Sequence, residues 1–482
     1  MRAVKRHEVP AWWRDAKLGI FVHWTPASVP GFAPTGEEVG ALMHGGRRDA
    51  LAWSPYTEWY ENSLRFPGSP AARHHAATYG DRPYRSFAHD WEAALASWDP
   101  DEWARRFAAA GARYVVLVTK HHDGYCLWPS DVANPNAPEF RCSRDVVGEL
   151  AEAVRAAGLR FGVYYSGGLD WTWNDHPIGT VTDLAVAAPR GGYVEYAEAQ
   201  VRELVARYRP SVLWNDISWP GTTRILARLL ADYYRAVPDG VANDRFLPWS
   251  AAWHLVRSAP VRRLVDAGIA RSAGRDRGII PPKPPLFDVR TPEYTVFDGI
   301  QHTPWECVRG IDKSFGYNRM STGADFIGER ELTWMLVDIA AKNGNLLLNV
   351  GPRGEDATIP CEQLDRLAWL ASFTSAAGEA LYATRPWVVP SGATPDASEV
   401  RYTARDRDVY TFVRTPAASV VLRELAASPT TEVRRVDRGT VAWQATGEGV
   451  RIVLDPPPGP DAPAIVAVRD ARARGTGADR SD

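Results

Sequence analysis

The sequence has few cysteines and little net charge, and each shortage excludes a class of protein. Its four cysteines, among 482 residues, are far apart and show neither a CxxC pair nor the Cys/His spacing of zinc ligands. We therefore expect no structural zinc and a reducing compartment. The net charge of −2 gives no field that would attract nucleic acid or an anionic membrane.

Targeting segments and nucleotide motifs are also lacking. The first residues, MRAVKRHEVPAWWRDAKLG, contain no apolar run of signal-peptide type, and no later stretch is apolar over the length of a membrane span. We therefore expect a cytoplasmic protein without a membrane or nucleic-acid partner. The glycine-containing segments lack the GxGxxG and GxxxxGK[ST] patterns, and no GxSxG motif is present, so no nucleotide cofactor is expected.

Short apolar or β-branched runs that end in polar residues alternate with stretches of helical periodicity. The predicted strands are residues 19–24, 114–122, 159–166, 211–216, 240–245 and 345–350. Helical patterns occupy 99–111, with Asp99 as a candidate N-cap, and also 143–158 and 193–208. This alternation is typical of parallel βα units. Since a closed barrel needs eight strands, we predict a TIM-like (β/α)8 barrel with one or two degenerate units.

The composition changes near residue 384 and defines the predicted domains. Residues 1–383 are predicted to form the catalytic barrel, and the alternating β-formers over 384–470 indicate a small antiparallel β-sandwich. Residues 471–482 show no periodicity and are predicted to form a flexible tail. The stretch 34–85 is weakly periodic and rich in Gly, Pro and Trp, so we expect an elaborated loop over the barrel mouth.

Polar side chains at the strand ends are the first candidates for chemistry, because the catalytic groups of parallel barrels lie at the carboxyl ends of their strands. The residues at such positions are His23, His121, His122, Tyr164, Asp216 and Arg245. A single one of them is readily explained as a cap or loop residue. Delivery of polar groups by five separate strands to one rim indicates a functional site.

Asp216 and the two adjacent histidines allow more than one interpretation. Asp216 is either a helix N-cap or an ionised nucleophile, and the nearby Trp214 and Trp219 favour the nucleophile. His121 and His122 would point to opposite faces of a regular strand and could not bind one metal ion together. A turn after the strand would bring both to the site, where recognition of hydroxyl groups is favoured over metal binding.

A second carboxylate is needed if the protein carries out acid/base or double-displacement chemistry at a sugar carbon. The candidates are Glu58, Glu293 and Glu306, which lie among Trp, Tyr and Pro residues where burial would raise a carboxyl pKa. Their sequence contexts do not choose among them. The 20 tryptophans are consistent with sugar stacking, although Trp is also an ordinary core residue.

Seven segments in order resemble the α-L-fucosidases of glycoside hydrolase family 29. They are KLGIFVHW, SPYTEWYENS, WDPDEWARRFAAAGARYVVLVTKHHDGYCLWPS, GLRFGVYYSGGLDW, YRPSVLWNDISWP, WECVRGIDKSFGYNR and KNGNLLLNVGPRGE. The resemblance implies hydrolysis of terminal α-L-fucose with retention, on an irregular barrel followed by a β-sandwich. It also implies a fucosylated glycan as substrate and no metal.

The resemblance also implies roles for individual residues. Asp216 matches the nucleophile and Glu293 the general acid/base, while Phe315 resembles the aromatic wall beside the fucose methyl group. Glu58 and Trp59 match residues that contact the sugar, and in some members that glutamate is discussed in acid/base work. The remaining matches to sugar-binding positions are His23, His121, His122, Tyr164, Trp214 and Arg245.

The stretch before Glu293 departs from the family pattern. An insertion around residues 247–290 has the pattern of a helix followed by the proline-rich IIPPKPP, and it lies directly before Glu293. It is expected to act as a lid over the leaving-group site or as a contact in a homo-oligomer. The alternatives in function are an α-L-galactosidase or other L-sugar hydrolase, a non-catalytic fucose-binding protein, and a metal-dependent hydrolase built on His23, His121 and His122.

Overall fold

Seven parallel strands form the central sheet. The computed structural model of the chain describes residues 4–44, 49–249, 255–272, 278–455 and 463–474. The sheet has the order β5-β4-β3-β2-β1-β7-β6. Its strands are β1 (Leu18–Val22), β2 (Tyr114–Lys120), β3 (Arg160–Tyr165), β4 (Val212–Asn215), β5 (Val241–Ala242), β6 (Trp305–Gly310) and β7 (Gly344–Val350).

An irregular segment joins the two outer strands of this sheet. Val289 forms a parallel bridge to Asn243 just after β5, and Arg290 and Glu293 form parallel bridges to β6. Residues 289–293 therefore take the position of an eighth strand without regular pairing. The predicted degenerate barrel is confirmed. Strand β6 was not predicted, because Glu306 and Arg309 interrupt its apolar pattern.

Helices surround the sheet, and most of the longer ones bury one apolar face. In α10 the buried residues Leu226, Leu229, Leu230 and Tyr233 follow helical spacing. The α-helices are α1 (Ala11–Ala16), α2 (Val39–His44), α3 (Tyr60–Leu64), α4 (Pro70–Tyr79), α5 (Phe87–Ala94), α6 (Pro100–Ala109), α7 (Val146–Ala156), α8 (Leu184–Ala187), α9 (Tyr193–Tyr208), α10 (Thr223–Ala236), α11 (Ala259–Ser272), α12 (Glu329–Ala341) and α13 (Cys361–Leu381).

The helix signals in the sequence correspond to observed structure. The Asp99 side chain accepts a 2.9 Å hydrogen bond from the Glu102 amide and caps α6, as predicted. The stretch 34–85 is more ordered than the loop that we expected. It contains α2, α3, α4 and the 3-10 helices Ala50–Trp53 and Thr57–Trp59. All but α4 are too short to produce a clear helical period, and α4 buries only Ala71 and His75, which gives no apolar stripe.

Part of the tryptophan content belongs to the core. The rings of Trp91, Trp98 and Trp103 lie 4.6, 5.5 and 5.0 Å from that of Trp24, centroid to centroid. All four side chains are buried in the main hydrophobic cluster. The abundance of tryptophan is therefore only partly a signal of sugar binding.

Antiparallel sheets follow α13 and form the predicted β-sandwich. The strands β14-β13-β17-β10-β9-β8 make one sheet, β11-β16-β15 a second, and β12-β18 a short pair. They are β8 (Arg385–Ala393), β9 (Glu399–Arg405), β10 (Asp408–Val413), β11 (Ser419–Leu422), β12 (Leu425–Ala426), β13 (Glu432–Arg435), β14 (Gly439–Thr440), β15 (Trp443–Thr446), β16 (Gly449–Val453), β17 (Ala464–Arg469) and β18 (Arg472–Ala473).

The predicted end of the β-sandwich differs from the structure, and the predicted tail and insertion lie partly outside the described residues. Strand β18 pairs with β12, so the sandwich continues past the expected end at residue 470; a two-residue strand leaves no period in the sequence. Residues 475–482 of the predicted tail lie outside the described residues, as do 250–254 and 273–277 of the insertion. The described part of the insertion contains α11.

No helix within the described ranges is both long and apolar enough to cross a membrane.

Gly19 is expected to be essential for the packing of the barrel interior. A Cβ at this position of β1 would lie 2.3 Å from Cζ of Tyr114, whose hydroxyl donates to Glu306 at 2.7 Å. Because Tyr114 is held at both ends, Gly19→Ala should lower the free energy of unfolding by about 1–3 kcal/mol. Urea denaturation measures the change. Gly299→Ala is the control, since its Cβ would meet no atom within 4 Å, and an equal effect of both variants would contradict the prediction.

Candidate active site

A pocket opens at the carboxyl ends of the strands and has a cavity volume of about 230 Å³. The structure brings together every residue that the family resemblance assigned to the site. Those residues are His23, Glu58, Trp59, His121, His122, Tyr164, Trp214, Asp216, Arg245, Glu293 and Phe315.

Asp216 follows β4, and its carboxylate is held by three donors. Oδ2 accepts a 2.8 Å hydrogen bond from the Tyr164 hydroxyl, and Oδ1 accepts from the Ile217 amide at 2.7 Å and from Arg245 at 3.3 Å. Ile217 has φ 64°, an unusual conformation for a β-branched residue, directly after Asp216. No helix begins here, since α10 starts at Thr223, so the N-cap interpretation of Asp216 is wrong.

Arg245 joins Asp216 to a second carboxylate. Its Nη2 lies 2.7 Å from Oε1 of Glu293, while Nη1 contacts Asp216. Nη2 and Nε also donate to the carbonyl and the hydroxyl of Thr291 at 2.9 and 3.0 Å. Burial raises the pKa of Glu293, and the neighbouring Arg245 opposes this rise. One guanidinium therefore holds both carboxylates at the pocket floor.

Glu58 is a buried carboxyl on a 3-10 helix and belongs to the same pocket. Its Oε2 accepts a 3.0 Å hydrogen bond from the Gly316 amide. Burial raises the pKa of Glu58 to about 8, although the Gly316 hydrogen bond lowers it in part. At neutral pH this side chain therefore carries a proton and can act as a hydrogen-bond donor toward the cavity.

His23 is oriented by a side chain that the sequence analysis did not identify. Its Nδ1 lies 2.5 Å from Oδ1 of Asn349, and the amide nitrogen of Asn349 donates to the Phe315 carbonyl. This arrangement requires His23 to donate through Nδ1, which leaves Nε2 as an acceptor. Burial lowers the pKa of His23 to about 3, so the imidazole is neutral.

His121 and His122 both reach the pocket because β2 ends at Lys120, so the opposite-face rule for a strand does not apply to them. His122 Nδ1 lies 2.6 Å from the Ser166 hydroxyl, which donates to the Leu169 carbonyl; His122 must therefore donate through Nδ1 and accept through Nε2. Burial lowers the pKa of His122 to about 4.

His121 offers a free polar atom to the cavity. Its Nδ1 is buried and has no hydrogen-bond partner within the described residues. Burial lowers its pKa well below the ordinary value, so this imidazole is neutral as well. The ring stacks on Tyr164, with centroids 5.5 Å apart and planes only 2° from parallel. A hydroxyl group of a bound ligand would satisfy the unpaired nitrogen.

The same side chains meet the distance requirement for a metal site. Donor atoms of His23, Glu58 and His121 lie within 4.8 Å of one another, and so do those of His121, His122 and Asp216. The protonated Glu58 and the hydrogen bonds already made by Asp216 favour a network that recognises hydroxyl groups. A chelator experiment separates the two uses.

Glu306 does not line the pocket, although it was a candidate acid/base. Its oxygens accept hydrogen bonds from Tyr114 at 2.7 Å and from Nε1 of Trp214 at 3.0 Å. Burial raises its pKa to about 7. Trp214 in turn stacks on Tyr164 at 5.4 Å, so Glu306 fixes the aromatic floor of the pocket from below.

Phe315 and Trp59 form aromatic walls. The Phe315 ring lies 5.1 Å from those of His23 and Tyr56, and the Trp59 ring is edge-on to His122 at 5.3 Å. Farther out the wall is aliphatic, and its residues come from helices and loops outside the barrel strands. They are Val39, Leu51, Val181, Leu184, Ile217, Ile279, Pro281 and Pro282.

Sequence reasoning missed the residues that orient the pocket groups, namely Asn349, Ser166 and Thr291. Asn349 lies near the end of β7, and Ser166 directly follows β3. The strand-end rule would have found both. Thr291 lies in the irregular segment that replaces the eighth strand, where no sequence period marks it.

Comparisons with known proteins show which proteins this chain is similar to. A sequence model described as alpha-L-fucosidase matches residues 1–379. Tissue alpha-L-fucosidase of Rattus norvegicus is 30% identical over 466 residues, covering 94% of this chain and 87% of the relative.

Solved structures of Thermotoga maritima alpha-fucosidase have a similar fold. The complex with a mechanism-based inhibitor is 36% identical with a TM-score of 0.81, and covers 97% of this chain and 98% of that one. The complex with fucose is 35% identical with a TM-score of 0.80, and covers 97% and 99%. The chain therefore belongs to the α-L-fucosidase family of glycoside hydrolases, family 29.

Proposed function

We propose that this protein is a retaining exo-α-L-fucosidase, which removes terminal α-L-fucosyl residues from oligosaccharides or glycoconjugates through a covalent fucosyl-enzyme. The observation that carries the proposal is the pair of carboxylates, Asp216 and Glu293, held by one guanidinium at the floor of the pocket. Retaining glycosidases place two carboxyl groups about 5–5.5 Å apart on either side of the anomeric carbon.

Asp216 is the nucleophile in this proposal. Its Oδ1 receives two N–H groups, whereas Oδ2 receives only the Tyr164 hydroxyl and is the oxygen free to attack. Attack on the anomeric carbon breaks the bond to the leaving oxygen and gives a fucosyl ester. Arg245 and Tyr164 hold the carboxylate in place, so little reorganisation is needed as charge shifts.

Glu293 is the general acid and then the general base. Because burial raises its pKa, it can carry a proton and give it to the departing oxygen. In the second step the ionised Glu293 takes a proton from water, which attacks the ester and releases fucose with its original configuration. Arg245 stabilises the ionised state between the two steps.

The remaining side chains fit an L-fucose ring. The neutral His23 and His122 each present Nε2 as an acceptor, and the protonated Glu58 presents a donor. His121, Trp59, Trp214 and Arg245 complete the contacts to the sugar. Phe315 supplies an apolar wall for the C6 methyl group.

Two substrate specificities compete on this scaffold. An α-L-galactoside differs from a fucoside by a hydroxyl at C6, and a wall such as Phe315 rejects a hydroxyl only by about 100-fold. The kcat/KM for an α-L-fucoside should therefore be about 100-fold higher than that for the matching α-L-galactoside.

Two further alternatives remain. A non-catalytic fucose-binding protein would not need both Asp216 and Glu293, and activity in excess chelator would contradict a metal-dependent hydrolase.

Asp216→Gly should lower kcat for 4-nitrophenyl α-L-fucoside by at least about 10⁴-fold, because no fucosyl-enzyme can form. Azide can occupy the space left by the carboxylate and attack the anomeric carbon from that side, so added azide should yield β-L-fucosyl azide. Wild-type enzyme should release α-L-fucose first, as followed by NMR. The exposed Asp81→Gly is the control, and wild-type activity in Asp216→Gly would exclude Asp216 as nucleophile.

Glu293→Ala should affect substrates according to their leaving group. Turnover of alkyl fucosides should fall by about 10³- to 10⁴-fold, while 4-nitrophenyl fucoside should lose much less, because it needs little protonation. Azide should produce α-L-fucosyl azide by attack on the fucosyl-enzyme. The same measurements on Glu58→Ala and Glu306→Ala identify the acid/base, and this pattern in either variant would reassign it.

Binding of L-fucose should weaken as the pH rises through about 8. Glu58 has a pKa raised to about 8, so it donates a hydrogen bond below that pH and loses its proton above it. The inhibition constant of L-fucose should be constant near neutrality and increase in alkaline solution. Glu58→Gln keeps a donor at all pH values and should remove the alkaline change; persistence of the change would assign it to another group.

A further inference from the structure

The polar and apolar parts of the pocket lining come from different parts of the chain. The charged and imidazole groups come from strand ends, from the short helix that carries Glu58 and from the irregular segment that carries Glu293. The outer wall is formed by aliphatic side chains, among them Leu51, Val181, Leu184 and Ile279. Among the described residues lining this outer wall, none has a polar side chain.

Part of the aliphatic wall adjoins Glu293, the residue proposed to protonate the leaving group. Ile279 is the backbone neighbour of Glu293, since each amide donates to the other's carbonyl at 3.0 and 2.8 Å. Pro281, two residues later, accepts a 3.0 Å hydrogen bond from Arg290, which is itself paired with Asp244 at 2.7 Å. The group that Glu293 protonates therefore leaves along a wall that is firmly attached to the catalytic segment.

Helix α11 of the insertion holds the opposite part of this wall. Asp266 accepts hydrogen bonds from the hydroxyl and the amide of Thr182 at 2.8 and 3.3 Å. Arg262 lies 3.8 Å from Asp183. These contacts fix the 3-10 helix Val181–Asp183, so that Val181 and Leu184 face the cavity.

We propose, on the basis of the function proposed above, that the leaving-group subsite of this fucosidase binds an apolar aglycone, an alkyl or aryl alcohol, in preference to a second sugar. A sugar buried here would place several hydroxyl groups against side chains that offer no hydrogen bonds, and each unmet group weakens binding. A hydrocarbon chain on the same surface gains affinity with each methylene that it buries.

The test is a series of ethyl, butyl, hexyl and octyl α-L-fucosides, whose leaving alcohols have similar acidity. In the wild-type enzyme kcat/KM should rise by about 10- to 100-fold from ethyl to octyl. A flat series overturns the proposal. If no fucoside is hydrolysed, including 4-nitrophenyl fucoside, it is the proposed fucosidase function that fails.

Leu184→Asn tests the wall directly. It should lower kcat/KM for octyl fucoside by about 5- to 30-fold and leave ethyl fucoside within about twofold. A fucosyl-galactose disaccharide should be unaffected or cleaved faster, and a loss equal to that of the octyl substrate would overturn the proposal. The inhibition constant of L-fucose reports an intact sugar site.

Two further variants separate the wall from the insertion as a whole. Ile280→Asn is the matched control, because Ile280 is 48% exposed and does not line the pocket although it adjoins Ile279. Its chain-length profile should equal that of the wild type. Asp266→Ala removes the contact with Thr182 and should reduce the octyl preference without changing the inhibition constant of L-fucose. An unchanged octyl preference would overturn the role of α11.

Discussion

The contact of Arg245 with two carboxylates is the interaction on which the site depends. Asp216 and Glu293 would repel each other in a buried pocket, and the guanidinium between them offsets that repulsion. Its orientation is set by Thr291, whose amide and hydroxyl donate to Asp244 at 3.0 and 2.6 Å. The irregular segment in place of an eighth strand therefore carries both Glu293 and Thr291, the residue that orients Arg245.

Burial gives the surrounding groups protonation states that differ from those in water. The pKa of His23 is lowered to about 3 and that of Glu58 is raised to about 8, in both cases mainly because the charged form loses its hydration. The result is a set of neutral donors and acceptors, which suits an uncharged sugar. Asn349 and Ser166 then decide which imidazole nitrogen faces the ligand, and Glu306 holds Trp214 beneath it.

The barrel and the segments added to it contribute different parts of the pocket lining. Strand ends supply Asp216, Arg245 and the histidines, since the parallel sheet brings them to one rim, and the irregular segment adds Glu293. Short helices and loops supply the aliphatic wall, and α11 contacts the 3-10 helix that carries Val181. This arrangement explains how an insertion just before Glu293 is compatible with an intact pair of carboxylates, and it places the choice of leaving group in the most irregular part of the chain.

The sequence by itself predicted the barrel, the β-sandwich and the charged and imidazole residues of the pocket. Apolar runs ending in polar residues predicted six of the strands, and the motifs predicted the charged and imidazole groups of the pocket but not its aliphatic wall. Strand β6 was hidden because its buried Glu306 looks polar until its partners Tyr114 and Trp214 are known. Only the tertiary structure decided that Glu306 lies outside the pocket lining while Glu293 lies in it, and that the chain turns after β2 so that both histidines line the pocket. Such distinctions depend on contacts between residues far apart in the chain, and no local pattern records them.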